Sequence, residues 1–331
     1  MVHRFFRYLL RNQVIFGLFL LAVGWVLIQV RDIMLLVFLS YIIMSSIMPV
    51  VDYLEKKKFP KTLAVAIPYF GVVLAILLVF VPLVPFVISQ IQSLISGFPF
   101  YLKQAAHTLG VSIDPAQVQL YLANEFNSLS KNALIVTTKV FGGIFSLLAI
   151  FIVSFYLLMY YNEFKRLFSR LFSHERRPFI LATLDAINYK LGAWLRGELL
   201  LMFFIGLMSW IALTILNVPY ALPLALLAAL LEVIPTLGPT LSAVPAVIVA
   251  LTVSPTLAVT VILAYIIIQM VENNFLVPKV MEKAVGLNPV VIILGVMIGT
   301  SLMGIAGALL AIPLISFILV VVKSFEQKEP Q

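Results

Sequence analysis

Glu232 stands near the centre of an apolar run, Leu222 to Leu251, within Glu232-Val233-Ile234-Pro235-Thr236-Leu237-Gly238-Pro239. A carboxylate in such surroundings is costly unless it pairs or changes protonation, and no Lys or Arg lies between Arg196 and Lys279 to pair with it. Burial without a partner favours the neutral carboxyl. Glu232 can therefore hold a proton and exchange it for a cation or a ligand hydroxyl. It can equally cap broken backbone at a hairpin tip, and both readings stand. Glu272-Asn273-Asn274 closes the next apolar segment. Its two amides donate and accept hydrogen bonds, which suits a polyol-like ligand or a helix end, while Glu272 also reads as an interfacial charge.

Other chemistries are poorly supplied. The chain has no cysteine, which excludes disulfides, thiolate catalysis and cysteine metal sites. His174-Glu175-Arg176-Arg177-Pro178 offers one His with no second nearby, so it reads as a solvated segment. No His-Glu-x-x-His, Gly-x-Ser-x-Gly or phosphate-cradling loop with its Lys is present. The expectation is no enzyme, no catalytic residue, no cofactor and no metal. The net charge of +8 does not point to nucleic acid, because the cations cluster between hydrophobic spans, as expected beside anionic lipid.

The elements that position Glu232 follow from length. One span needs about 20 apolar residues, and the run from Leu222 to Leu251 is half as long again and carries a Pro-x-x-Gly-Pro break. Pro235 and Pro239 remove backbone donors and Gly238 permits angles closed to other residues, so two short helices meeting at a turn are expected. Non-helical backbone at membrane depth survives only when buried in protein or facing a cavity, and the break therefore marks a site. Val290 to Val322 is also too long for one span. It is interrupted at Gly299-Thr300-Ser301-Leu302-Met303-Gly304 and Gly307, with Pro313 following. Two units of span plus broken helix, inverted relative to each other, form the architecture of many secondary transporters.

With 63% hydrophobic and 11% charged residues, the chain reads as an all-α polytopic membrane protein with two re-entrant hairpins in its C-terminal half. Residues 1–88 supply spans one to three, the first two predicted as a tight hairpin around Arg31-Asp32. Residues 89–140 form an amphipathic helical region outside the membrane, with Asp114-Pro115 as a helix start. Residues 141–198 hold span four and a basic cytoplasmic loop, and residues 199–331 form the transport core. Lys excess beside Glu55-Lys56-Lys57-Lys58 and around Arg176 predicts the cytoplasmic side, which puts both termini there. A re-entrant Leu222 to Leu251 brings Lys279 and Lys283 to that side too, whereas a full crossing sends them out.

Arg196-Gly197, Ile234-Pro235-Thr236-Leu237-Gly238-Pro239, Glu272-Asn273-Asn274-Phe275-Leu276-Val277-Pro278, Val285-Gly286-Leu287-Asn288-Pro289 and Gly304-Ile305-Ala306-Gly307-Ala308-Leu309-Leu310-Ala311-Ile312-Pro313 resemble, in order, the motif series of the autoinducer-2 exporter family of transporters. The resemblance implies export of small polar signals, as in quorum sensing, or sodium or lithium ion/proton antiport. It also implies a homo-oligomer, a pentamer, with elevator-like movement. Glu198 stands where the family more often has Gln, so an amide contact becomes a proton or cation site. Expected partners are the lipid bilayer and a small polar solute or cation. A non-transporting scaffold is the third class and predicts that changing Glu232 spares function.

Overall fold

The computed structural model describes residues 13–78, 133–234, 237–281 and 288–326. The 89–140 region, apart from its last residues, lies outside these, as do Pro235, Lys283 and the 282–287 segment.

Two helices open the described chain, α1 (Gln13–Gln29) and α2 (Arg31–Lys56). They do not form the expected hairpin. Val30 alone separates them, and hydrogen bonds from Val30 N to Val26 O and from Met34 N to Val30 O carry the helical pattern through the junction. Reversing a helix takes a loop of about two to five residues, and one residue gives a bend. The argument that put the N-terminus on the same face as Lys56 falls with the hairpin.

α3 (Lys61–Leu78) and α4 (Ala133–Met159) pack with α2 around Met44, Ile47, Val65, Tyr69 and Leu158. The chain then bends by 71° into α5 (Tyr161–Arg170). A single turn of 3₁₀ helix at His174–Arg176 leads to α6 (Arg177–Ile215). The predicted basic loop is thus largely helical. Its cations drew attention from Ile180, Ile187, Leu191 and Trp194, which recur at helical spacing and are buried. At about 1.5 Å per residue, the 39 residues of α6 are about 58 Å long and outreach a hydrocarbon core of about 30 Å. One end of α6 therefore projects beyond it.

α2 and α6 run antiparallel, since Asn188 Nδ2 donates to Met48 Sδ while Arg196 Nη1 donates to the carbonyls of Ser45 and Ser46 at 3.3 and 3.1 Å. Pro49 has no N–H, so the Ser45 carbonyl four residues earlier lacks its helical donor. Arg196 supplies a charged one. The antiparallel run also brings Lys56 and Arg177 to one face of the molecule, called the basic face below.

The C-terminal half contains α7 (Ala221–Leu231), α8 (Leu237–Val253), α9 (Pro255–Val271), a π-helical turn at Glu272–Leu276, α10 (Val277–Met281) and α11 (Pro289–Glu326). α7 is about 16 Å long, half of what a crossing needs. Both ends of the α7–α8 pair lie at one level, because Leu224, Ala246, Val249 and Ala250 pack together with Leu213 and Val218 at the far end of α6. The pair is therefore a hairpin that enters from the far face and returns to it.

α9, continued by the π-helical turn and α10, crosses beside α6 from Ala258, at that far level, to Met281, which packs against Leu191 and Trp194 near the basic face. Lys279 is thereby placed toward the basic face, as the re-entrant reading expected. α11 doubles back at Gly304, whose φ of 62° and ψ of −141° lie outside helical space. Gly299 and Gly307 meet backbone to backbone across the two limbs, and a Cβ on Gly307 would stand 1.9 Å from the Gly299 carbonyl oxygen. Phe317, Val320 and Val321 pack with Ile187 and Leu191, so the second limb ends at the basic face. The two hairpins are inverted relative to each other.

Candidate functional site

Three acidic residues from three elements are buried within the C-terminal half. Glu198 on α6 and Glu232 at the end of α7 are each 2% exposed, and Glu272 at the start of the π-helical turn is 4% exposed. The carboxyls of Glu232 and Glu272 face each other, near enough to interact directly. Glu198 stands near both, close enough to feel their charge. No donor from the described protein reaches Oε2 of Glu232 or of Glu272. Two ionised carboxylates so placed would repel each other unless a cation or a proton lay between them.

Local backbone explains the placement. Glu232 caps α7 with its N–H still donating to Ala228 O at 3.1 Å, and Ile234 N and Gly238 N then turn the chain by bonding Leu231 O and Ile234 O. Gly238 is forced by close approach, since a Cβ there would sit 2.3 Å from Leu231 O and 2.8 Å from the Glu232 Cα. Pro239 falls in the first turn of α8, where a missing N–H costs nothing. Glu232 ends a helix, and Glu272 directly follows the last residue of α9. Glu232 thus occupies the negative end of a helix dipole, which disfavours a bare anion and favours a bound cation or proton, whereas the helix carrying Glu272 continues through the π-helical turn to Met281.

The tip of the first hairpin also meets the second. Ile234 packs against Val296, Ala308 and Ala311 of α11, which sets the carboxylate pair beside the place where the two broken elements touch. Among the residues expected to form the second break, Gly304 makes the turn and Gly299 with Gly307 closes the limbs. Pro313 lies inside the second limb, buried, rather than at the turn.

Asn273 and Asn274 are exposed. Asn274 Nδ2 donates to Met270 O at 2.8 Å, so it finishes its own helix, and the structure does not bring either amide into the carboxylate pair. Sequence reading named the three glutamates separately and did not place them together. Their convergence depends on α6, α7 and α9 packing at one level, which no spacing along the chain encodes. Among the described residues, no three acidic or histidine side chains gather closely enough to chelate a metal ion.

The comparisons with known proteins agree with a membrane carrier. The family model described as AI-2E family transporter matches residues 14–327. The chain is similar to "Putative transport protein YueF" of Bacillus subtilis (strain 168), with 29% identity over 295 residues that cover 84% of this chain and 79% of the relative. It is also similar to "Putative transport protein YrrI" of the same organism, at 27% identity over 132 residues, covering 40% of this chain and 37% of the relative.

Proposed function

From the premise that this chain belongs to the AI-2E family of transporters, we propose that it is a secondary transporter that exchanges a small monovalent cation for protons at the Glu232–Glu272 pair. The observation that carries this reading is the contact of two buried carboxyls with no cationic or donor partner at either Oε2. With a proton between them the pair carries one negative charge. A sodium- or lithium-sized cation brings the compensation that the site otherwise lacks, and its arrival releases the proton to the same side.

Glu198 adds a further carboxyl near the pair, whose charge acts on both members. The inverted hairpins meeting at Ile234 support alternating access, with the hairpin carrying Glu232 moving relative to the α2–α5 cluster in an elevator-like step. The assembly proposed is a homo-oligomer, a pentamer, with the lipid bilayer around it. The side facing the cytoplasm is the basic face, because cations beside span ends are retained there.

A second reading is export of a small polar molecule such as a quorum-sensing signal. The exposed Asn273 and Asn274 beside Glu272 favour it, since amides free on their outer side can recognise hydroxyls.

The test is exchange in proteoliposomes under an imposed pH gradient, with sodium, lithium or a panel of neutral polyols as the probe. A cation that competes with one proton loses apparent affinity about tenfold for each pH unit of acidification while the pair stays protonated. Glu232→Gln and Glu272→Gln should each lose that pH dependence while inserting and assembling normally. Wild-type pH response in both variants would reject the pair as the coupling site. Saturable polyol flux without cation flux would favour the second reading.

A further inference from the structure

The seam between α6 and α9 carries a second polar level. Tyr265 on α9 brings its phenol oxygen up to the Ser209 hydroxyl on α6. The two residues are 6% and 0% exposed. Neither hydroxyl completes a hydrogen bond of good geometry with any described group. Tyr41, Tyr161 and Ser316 share that condition elsewhere in the described protein. Ser40, Ser45, Thr183, Thr300 and Ser324 each satisfy their hydroxyl on the carbonyl four residues back, as helical Ser and Thr commonly do. Ser209 turns instead toward Tyr265. Each of the two hydroxyls thus keeps donor and acceptor capacity beyond its contact with the other.

Between this level and the carboxylates lies an apolar one. Ile205 on α6, Ala228 on α7 and Ile268 on α9 pack together at 1%, 0% and 7% exposure. Each is one to two turns from an acidic residue of its own element, Glu198, Glu232 and Glu272 respectively. The same three helices thus present carboxylates, then an apolar layer, then hydroxyls, moving from the basic face toward the far face. Eleven residues of α6 and seven of α9 separate Tyr265 and Ser209 from the carboxylates, about 16 and 10 Å along the two helices. Among the described residues, the other titratable group packed around the hydroxyl level is Tyr220, at the start of α7. Residues 199–231 and 233–271, which supply this level, hold no Asp, Glu, Lys or Arg.

We propose that Ser209 and Tyr265 form a proton-relay site that binds water on the far-face side, and that Ile205, Ala228 and Ile268 form the seal separating it from the carboxylate pair. This rests on the carboxylate reading above. Two hydroxyls, each both donor and acceptor, match a water molecule that passes one proton on as it receives another, so nothing is consumed. In the state seen here the seal is shut, and the carboxylates are closed to the far face. Because Ala228 belongs to the hairpin, movement of α7 opens the seal and admits the relay to Glu232.

The test uses the full chain in proteoliposomes containing a pH-sensitive dye, with sodium as the cation probe. Tyr265→Phe and Ser209→Ala keep shape and remove a hydroxyl. Each should slow proton-coupled exchange about 3- to 10-fold, the effect of one hydrogen bond, with sodium affinity unchanged. Ile205→Ala combined with Ile268→Ala should raise sodium-independent proton leak at least about tenfold, and adding Tyr265→Phe should lower that leak. Thermal unfolding in detergent checks that every variant is folded. Wild-type exchange in both hydroxyl variants, or a tight Ile205→Ala/Ile268→Ala protein, overturns the relay while the carboxylate reading stands. A wild-type pH response in both Glu232→Gln and Glu272→Gln overturns both together.

Discussion

Adding one methyl group at Gly238 should separate transport from folding. The Gly238 backbone is helical, so alanine meets no conformational penalty, and only the space around the new Cβ matters. That Cβ would lie 2.3 Å from the Leu231 carbonyl oxygen, 2.6 Å from its carbon and 2.8 Å from the Glu232 Cα. A comfortable carbon–oxygen contact is about 3.3 Å, so the start of α8 must retreat from the end of α7 by about 1 Å. Overpacking of this kind costs about 1–3 kcal/mol, partly offset by the gain of about 0.5–1 kcal/mol from replacing glycine in a helix. The protein should therefore fold and insert with a modestly lowered unfolding midpoint. Its function should suffer far more, because a displacement of about 1 Å at a reacting centre can cost about 100-fold in rate, and the contact that must open includes the Glu232 backbone. The assay is sodium/proton exchange in proteoliposomes, normalised to inserted protein, beside thermal unfolding in detergent. Gly71→Ala on α3 is the control, since nothing lies within 4 Å of its Cβ position, and it should exchange normally with unchanged or slightly raised stability. Wild-type exchange by Gly238→Ala would refute the claim that the hairpin tip sets the position of the carboxylate.

Two further outcomes are expected. Gly307→Ala places a Cβ 1.9 Å from the Gly299 carbonyl oxygen, a worse overlap than at Gly238, so it should lower the unfolding midpoint more than Gly238→Ala does, and an equal or smaller drop would count against the tight α11 hairpin. The chain has no cysteine, so single cysteines at positions 279 and 56 report sidedness cleanly. Both should label from the same side of the membrane, and labelling from opposite sides would replace the re-entrant hairpin with a full crossing.

The legible parts of this fold were those written in local composition. A 30-residue apolar run broken by Pro, Gly and a carboxylate could be recognised as a hairpin because bilayer thickness limits what a helix must do. The α7–α8 and α11 hairpins accordingly appear where the breaks stand, with Gly304 making the second turn. What escaped was information held by burial rather than by charge. The stripe of Ile180, Ile187, Leu191 and Trp194 turned an expected loop into the first half of α6, and the one-residue break at Val30 was too short for the hairpin assigned to it. Glu198, Glu232 and Glu272 were each suspect as intramembrane acids. Their meeting at one level, and the hydroxyl level of Ser209 and Tyr265 beyond it, required knowing that α6 runs antiparallel to both α7 and α9.

The position of Glu232 gives protonation a mechanical consequence under the proposed mechanism. Glu198 belongs to a long continuous helix and Glu272 to a segment that crosses beside it, so the separation of those two is fixed by extensive packing. Glu232 ends an 11-residue helix whose tip leans on α11 through Ile234, and its distance from Glu272 depends on where the hairpin sits. A shared proton holds the two carboxyls together. Loss of that proton leaves two negative charges in contact and drives the hairpin away, unless a cation takes the proton's place. A ligand can shift such an equilibrium only by its different affinity for the two positions, and here both proton and cation favour the closed one. The unliganded, fully ionised pair is the state that should be least able to close, which couples return of the hairpin to occupancy and keeps exchange obligatory.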